Sequence, residues 1–583
     1  MNKLGLVFYI AAIAQTTDAT INKISESDLE AFVNHVLKCY NISGLSLAMV
    51  TKSQTIFTGG FGVKTFEKGD LVTSKTLFNV GSVSKSFTAT IAADAVSRGK
   101  IEWDKPLKDT FGKDFKLSDS FRTERATLRD VLAHKMCVPE YWGATTIAEN
   151  ITRQEMIKRL PFYTTFCDLR TEYQYSNQMV VAGAAAVEIA TCQYWEDAIF
   201  QKIYKPLGMN GSRIGSRMSD GDWANTAISY TNFNGKPVPN PEQQQSIMLD
   251  YMGPAAGVYS NAEDMAKYLR FHLNNGKDEN GKQMVAEKEL TDTHKSNYAI
   301  QQTDKVTTDI FPVLSTIDAY GMGWRTGYYR GYRKVEHTGS FSGYTCRNTF
   351  LPDADVGVWL CEASSYDGYT ANQLVSWYAL DMLLGKQPWL NETTACTFPA
   401  PWVPPQPTQA PTTTTKAPTT LYPQPSCGVN LTHYIGDYNN RAFGTFHVYF
   451  NQNNDLVCSS GQLLNCTLTP LDCDHHFLLL VTGALTYRDP NRHGWKVHFE
   501  RTQYNTSFQT VTMSYMDSEY PPVFHRGDSY KPVDYPAERG PLSAICKKPK
   551  RRAVPSTRKP VSSASFASYS IYGFMTAIIL CLL

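Results

Sequence analysis

Several things are missing from this chain, and each absence narrows the field. Charge of one sign is missing: 56 basic and 54 acidic residues leave a formal net charge of +2. A protein built to neutralise phosphates carries a strong basic excess, so nucleic acid is set aside as a partner. Internal repeats at the usual periods are missing too, which excludes a solenoid or a propeller. So is an apolar run of the roughly 20 residues that cross a bilayer. The apolar C-terminus, Ile571 to Leu583, has only thirteen.

What is present is a large globular chain. Its 583 residues exceed one domain of roughly 100 to 200 residues several times over. Hydrophobic residues at 42% and aromatics at 12% are a folding rather than a disordered balance. The near-neutral sum hides a basic run, Lys547 to Lys559, with seven basic residues and no acidic one. Without that run the globular part is mildly acidic, and the run reads as a separate solvated stalk.

Both ends read as targeting signals. Lys3 precedes the apolar stretch Leu4 to Ala14, with small residues at Ala12 and Ala14 or at Thr17 and Ala19. This is the layout of a secretory signal peptide over residues 1–19. At the other end Ser562, Ser563 and Ala564, a short polar spacer and the apolar tail give residues 562–583 the form of a glycosylphosphatidylinositol attachment signal, behind a stalk at 547–561. The expected location is the secretory pathway and then the outer face of the plasma membrane, held by a C-terminal lipid anchor, or secretion.

Cysteine usage agrees. Of 13 cysteines, Cys581 falls in the tail, leaving twelve for disulfides. Seven Asn-x-Ser/Thr sequons, at Asn41, Asn150, Asn210, Asn391, Asn430, Asn465 and Asn505, fit a glycosylated surface.

Residues 397–426 hold nine prolines and eight threonines, a composition with little to bury and a preference for extended chain. This linker separates a large domain, 27–388, from a smaller one, 427–546. In the large domain LSLAMV and TIFTGGFG alternate as a hairpin, and SVSKSFTATIAADAVSRG puts Val83, Phe87, Ile91 and Val96 on one helical face. Near its end GYTCRNTF and VGVWLCEA flank LPDAD as a second hairpin. Strands at both ends with helices between predict an α+β fold, its antiparallel sheet completed by distant parts of the chain beside a helical region. In the smaller domain YIGDYN, GTFHVYF, DLVCSS, HFLLLVTG and WKVHFERT are short β-rich runs, which favours a small sandwich or barrel.

Three motifs carry residues that could cooperate chemically. Ser82-Val83-Ser84-Lys85 opens the amphipathic helix, and three-residue spacing puts Lys85 within reach of the Ser82 hydroxyl. A serine is a poor nucleophile until a base takes its proton, and a lysine serves when burial and nearby cations lower its pKa. Tyr175-Ser176-Asn177 adds a phenol that nearby cations could make acidic enough to shuttle that proton, and an amide able to hold Lys85 and a substrate carbonyl. His337-Thr338-Gly339 ends the domain, where a glycine lets a substrate approach a strand edge whose N–H groups receive an oxyanion.

With these residues in place the chain resembles the serine β-lactamase and penicillin-binding-protein superfamily, in the branch of class C β-lactamases, D-aminopeptidases and esterase-like enzymes. The resemblance covers about residues 27–388. It rests on TLFNVGSVSKSFTA, TLRDVLAHKMCVPE, YSNQMVVAGAAAVEIA with YKPLGM, GPAAGVYSNAEDMAKYL, and YGMGW before HTGSFSGY, all in the family's order. It implies an antiparallel sheet flanked by helices, a helical subdomain and a cleft between them. Ser82 would be the nucleophile, Lys85 its proton partner and Tyr175 the general base. Asn177, His337, Thr338, Gly339 and Ser340 would bind substrate, with the N–H groups of Ser82 and Ser340 as oxyanion hole. The smaller domain is similar to the lipocalin-like or sandwich β domains appended to such hydrolases.

This implies a serine hydrolase that forms an acyl-enzyme on a small-molecule or peptide ester or amide, with no cofactor and no metal. The alternative is a non-catalytic surface protein that keeps the fold. Four residues depart from the family. His337 stands where lysine is frequent, which favours esters or amides over β-lactams; Met136-Cys137 replace Ser-Gly, and Glu362 replaces a frequent asparagine. His475-His476 beside Cys473 and Asp474 read as strand or turn residues rather than a metal site, and Arg526-Gly527-Asp528 as a turn rather than an adhesive tripeptide.

Parity governs the disulfides. Seven cysteines precede the linker and five follow it, so if all twelve pair at least one bridge joins the domains. Cys396 and Cys427 flank the linker and are the expected pair. Cys346 and Cys361 are equidistant from the centre of the second hairpin, which puts them opposite each other.

Overall fold

The computed structural model describes residues 25–141, 143, 151–233, 236–300, 310–364, 368–403, 430–489, 493–502 and 506–527. The leader, most of the linker, the stalk and the attachment signal lie outside these residues. No helix among the described residues is long and apolar enough to cross a membrane.

The large domain is built on eight antiparallel strands. They are β1 (Ile42–Thr51), β2 (Thr55–Gly62), β3 (Tyr298–Ala299), β4 (Ala319–Tyr320), β5 (Arg325–Tyr329), β6 (Tyr332–Phe341), β7 (Tyr344–Leu351) and β8 (Val356–Ser364). Their order, β2-β1-β8-β7-β6-β5-β4-β3, joins the first hairpin to the last across β1 and β8. The reason is hydrophobic: nine of the ten residues of β1 are buried, so both faces of that strand must be covered.

Helices do the covering, one set on each face. On one side α1 (Glu26–Cys39) buries Leu29, Phe32, Val33, Val36 and Leu37, its start capped by Ser25 accepting from the Asp28 N–H. On the other side lie α2 (Ser84–Ser97) and α3 (Asn177–Thr191), both buried on almost every position, with α4 (Leu249–Ala256) and α5 (Ala262–Leu273) beside them. A helix buried all round belongs at a centre, as α2 and α3 do, and these four form the helical region expected from the sequence. Back on the first face, α6 (Gly368–Leu383) and α7 (Glu392–Thr397) pack with α1.

The smaller domain is a closed eight-stranded barrel, which settles the choice between sandwich and barrel. Its strands are β9 (Gly436–Asn440), β10 (Gly444–Phe450), β11 (Leu456–Ser460), β12 (Leu464–Pro470), β13 (His476–Thr482), β14 (Trp495–Glu500), β15 (Thr510–Met513) and β16 (Val523–Arg526). Alternating burial on β9, β10 and β12 fills it with Tyr438, Phe446, Val448 and Leu468. The Arg526 guanidinium is spent inside this domain, donating to the carbonyls of Phe508 and Ile435 at 2.6 Å each. His475 pairs with the Tyr434 hydroxyl at 2.8 Å and His476 with Asp472 at 2.8 Å. Among the described residues, the group whose donor atoms could converge on an ion is His35, Cys39 and Cys396, where the two sulfurs are bonded to each other.

Two sequence expectations are corrected. The linker was expected to begin at 397 and the large domain to stop at 388. Instead Trp402 packs on Trp389, with ring centres 4.8 Å apart, and Phe398 on Phe311 at 5.9 Å. The second correction is the bridge from Cys396. Because α1 and α7 lie together, Cys39 and Cys396 come to 5.4 Å between Cα atoms and pair, so Cys396 does not bond Cys427. The opposed pair Cys346 and Cys361 forms as the hairpin symmetry requires, in register across β7 and β8. Of the sequons, Asn41, Asn210, Asn391, Asn430 and Asn465 are all exposed; Asn150 and Asn505 lie outside the described residues.

Parity now moves to another cysteine. Cys39–Cys396, Cys137–Cys167 and Cys346–Cys361 use six of the seven cysteines before the linker, and Cys458–Cys466 uses two beyond it. Cys192 is also disulfide-bonded and is the seventh. Non-reducing peptide mapping should recover the four bridges and should link the Cys192 peptide to one from beyond residue 426. A Cys396–Cys427 peptide, or a free Cys192 thiol, would be the contrary result.

Candidate active site

Ser82 stands in a short turn, Gly81–Val83, that runs straight into α2. Two backbone features hold the turn. The Asn79 side-chain oxygen accepts from the Gly81 N–H at 2.7 Å, and the Val80 N–H donates to the Val258 carbonyl at 3.0 Å. Gly81 has a φ of +53°, in the region that favours glycine.

Strand β6 then comes against the turn with almost no gap. A Cβ on Gly339 would lie 1.9 Å from the Val80 carbonyl oxygen and 3.0 Å from the Ser82 nitrogen, and one on Gly81 would lie 2.5 Å from the Ser340 nitrogen. Two glycines therefore bring the N–H groups of Ser82 and Ser340 into one neighbourhood, where a developing oxyanion would meet both. The sequence reading gave Gly339 to the approaching substrate. In the structure the close neighbour is the serine turn itself.

Lys85 lies one turn into α2 and is fully buried. Its Nζ is 2.9 Å from Ser82 Oγ, 2.7 Å from Asn177 Oδ1 and 3.0 Å from the Ala255 carbonyl oxygen. Burial lowers its pKa to about 7; the field of Glu140 opposes this and that of Arg325 adds to it. Near neutrality much of Lys85 is thus an uncharged amine with two hydrogens and one lone pair. Asn177 Oδ1 and the Ala255 carbonyl can only accept, so they take both hydrogens. The lone pair is left facing the Ser82 hydroxyl.

Asn177 reaches Lys85 because it is the first residue of α3. Tyr175, two residues earlier, lies with its ring centre 4.8 Å from Lys85 Nζ. Its loop is held by His134, whose Nδ1 accepts from the Ser176 N–H at 3.1 Å and whose carbonyl accepts from the Gln174 N–H at 2.9 Å. Burial raises the Tyr175 phenol well above its usual range, with a hydrogen-bonding contact to Ser82 acting the other way. The sequence reading had a phenol made more acidic by cations. Desolvation outweighs them here, because Tyr175 is walled in by the rings of His134, Tyr320 and His337.

His337 is buried, and burial with the nearby Arg325 and Lys85 charges holds its pKa well below normal. Its Nδ1 donates to the Thr338 carbonyl at 2.6 Å, which leaves Nε2 to accept from the Tyr320 hydroxyl at 2.9 Å. Both ring nitrogens of His337 are therefore engaged with protein. A permanent cation stands beside the site in Arg325, on β5, whose Nη1 donates to Thr338 Oγ1 at 3.2 Å and whose Nε is buried with no hydrogen-bond partner among the described residues. The sequence reading gave no role to His134, Tyr320, Arg325 or the Ala255 carbonyl. Three of these four positions stand inside stretches it had singled out: His134 in TLRDVLAHKMCVPE, Tyr320 at the head of YGMGW, and Ala255 in GPAAGVYS. A serine, a lysine and a tyrosine announce chemistry by type, whereas these act through position.

A hydroxyl facing the lone pair of a buried amine is set up to attack a carbonyl, and a fold that holds the pair at a helix start beside an antiparallel sheet is that of the serine β-lactamases. The chain belongs to the beta-lactamase family, whose model matches residues 29–373. Its relatives include D-aminopeptidases. It is 24% identical over 374 residues to an unguisins hydrolase of Aspergillus campestris, covering 62% of this chain and 66% of the relative. To a D-aminopeptidase of Brucella anthropi it is 24% identical over 345 residues, covering 57% and 58%. The chain thus spans just under two thirds of the length of the first of these relatives, and less of the second. The octameric penicillin-binding protein homologue from Pyrococcus abyssi superposes with a TM-score of 0.51 at 20% identity, over 83% of this chain and 97% of that one. The D-amino acid amidase from Ochrobactrum anthropi gives 0.51 at 20% identity, over 61% and 97%.

The glycine contact generates a test. Gly339→Ala puts a methyl group into the Val80 carbonyl, so strand and turn must separate and the two N–H groups with them. Turnover of an ester should fall by roughly 10² or more while Lys85 stays in place. Steady-state kinetics beside a thermal melt would check this, and a Gly339→Ala protein with full turnover would refute it.

Proposed function

We propose that this chain is a serine hydrolase that forms an acyl-enzyme on Ser82 and acts on an amide or peptide bond. One observation carries the reading: Lys85 Nζ sits between two pure acceptors with Ser82 Oγ 2.9 Å away. In the first step the Ser82 oxygen bonds to the substrate carbonyl carbon while its proton passes to Lys85 Nζ, and the carbonyl oxygen gains negative charge beside the Ser82 and Ser340 N–H groups. In the second the tetrahedral intermediate collapses, the bond to the leaving group breaks, and that group takes the proton by way of Lys85 and the neutral Tyr175 hydroxyl. Water then repeats the sequence on the acyl-enzyme.

The names of the relatives, an unguisins hydrolase and a D-aminopeptidase, support an amide or peptide substrate. The absence of a permanent cation at His337 is consistent with that choice. For location we propose the outer face of the plasma membrane through a lipid anchor; the signal-like ends and the five exposed sequons support it.

Two experiments test these readings. A fluorophosphonate probe should label Ser82, Ser82→Ala should abolish labelling, and the labelling rate should rise about tenfold per pH unit up to about 7 and then level, because the neutral amine is the active form. An adduct on another serine, or an acid limb near the ordinary lysine pKa of 10.5, would count against the mechanism. Phosphatidylinositol-specific phospholipase C should release the protein from expressing cells, and retention with an intact C-terminal peptide would count against the anchor.

A further inference from the structure

The barrel does not stand apart from the cleft. Its Phe443 ring sits between Tyr141 and Tyr163 of the large domain, with centres 4.6 and 5.3 Å away. The Gly143 N–H donates to the Met516 carbonyl at 3.0 Å, and a Cβ on Gly143 would lie 2.0 Å from the Tyr515 carbonyl oxygen. Nearer the site, Gln245 Nε2 donates to the Ala484 carbonyl at 2.7 Å. Ala484 lies in a turn, Gly483–Arg488, between β13 and β14, and three residues on Tyr487 reaches the pocket that holds Ser82.

That pocket has a direction. It is lined by Ser82, Asn177, Ser340 and Phe341 but by neither Tyr175 nor His337. A leaving group must depart on the side that can protonate it, the Tyr175 side. Because Tyr175 is not among the residues that line this pocket, the pocket is assigned to the acyl half. Its remaining wall is Met248, Leu249, Met252, Ala255, Ala256 and Tyr487, and among the described residues no charged side chain lines it.

We propose that Tyr487, carried in from the barrel, is the residue that limits the acyl group, and that the preferred acyl group is uncharged, apolar and compact. The proposal rests on the hydrolase reading above. A carboxylate or ammonium in this pocket would lose its hydration with nothing to pair with, whereas a small apolar group carries no such cost. Methionine and alanine walls adapt to such a group, and the phenol ring of Tyr487 stops a longer one from passing.

The test uses the full ectodomain with p-nitrophenyl acetate and octanoate, read as the ratio of kcat/KM for the long ester to that for the short one. Tyr487→Ala should raise this ratio about tenfold, Tyr487→Trp should lower it, and Tyr487→Phe should leave it near the parent value, since the ring rather than the hydroxyl forms the wall. A monosuccinate p-nitrophenyl ester, with a carboxylate on the acyl side, should be a poor substrate throughout. Fluorophosphonate labelling of Ser82 in each variant separates the two levels of failure. Labelled Ser82 with the same ratio in Tyr487→Ala and Tyr487→Trp overturns the proposal alone; an unlabelled Ser82 in the parent protein overturns the hydrolase reading and the proposal with it.

Discussion

The constraint on which the site depends is the burial of one primary amine. An isolated ammonium removed from water loses hydration worth several kcal/mol after relaxation, and no carboxylate is hydrogen-bonded to Lys85 among its partners to offset this. Near neutral pH the uncharged amine is about as accessible as the ammonium, and its partners are suited to the uncharged state: two acceptors for two hydrogens and one hydroxyl for the lone pair. The placement of α3 follows from it, since Asn177 must start that helix to reach Nζ, and so does that of α4, whose Ala255 carbonyl closes the set. The core helices are packed to keep this amine dry.

The same low dielectric orders the other titratable groups. Burial raises the phenol of Tyr175 and lowers the imidazoles of His134 and His337, so all three are held neutral around a lysine that can change charge. Arg325 is the exception. A guanidinium keeps its charge at any accessible pH, and from β5 it acts on Lys85, His134 and His337 alike. Its effect on each is to favour the uncharged form, the same direction as burial.

Much of this was legible in the sequence because it is local. The Ser82 to Lys85 spacing, the two hairpins and the register that opposes Cys346 to Cys361 are set by residues a few positions apart, where period and symmetry suffice. What was not legible depends on contacts between distant segments. The Cys39–Cys396 bridge needs α1 and α7 packed together across 357 residues of chain, and proximity to the linker pointed to Cys427 instead. The tautomer of His337 is set by Tyr320 and by its own neighbour's carbonyl, which no motif encodes. The direction of the Tyr175 shift was misread for the same reason. Cations were visible in the sequence, but the aromatic walls that exclude water were not.

The two domains are then joined by more than a tether. A proline-rich linker alone would leave the barrel free to sample many orientations, and a turn on a freely moving domain cannot define a pocket. Here the barrel is held at Gly143, where the backbones approach too closely for a side chain, at the Phe443 ring between two tyrosines, and at the Gln245 bond to Ala484. These contacts lie on different elements of the large domain, so together they fix rotation as well as position. Parity adds a covalent constraint, because Cys192 has no cysteine left to pair with on its own side of the linker. A turn held in this way can serve as a wall of the cleft, which makes the barrel part of the site rather than an appendage to it.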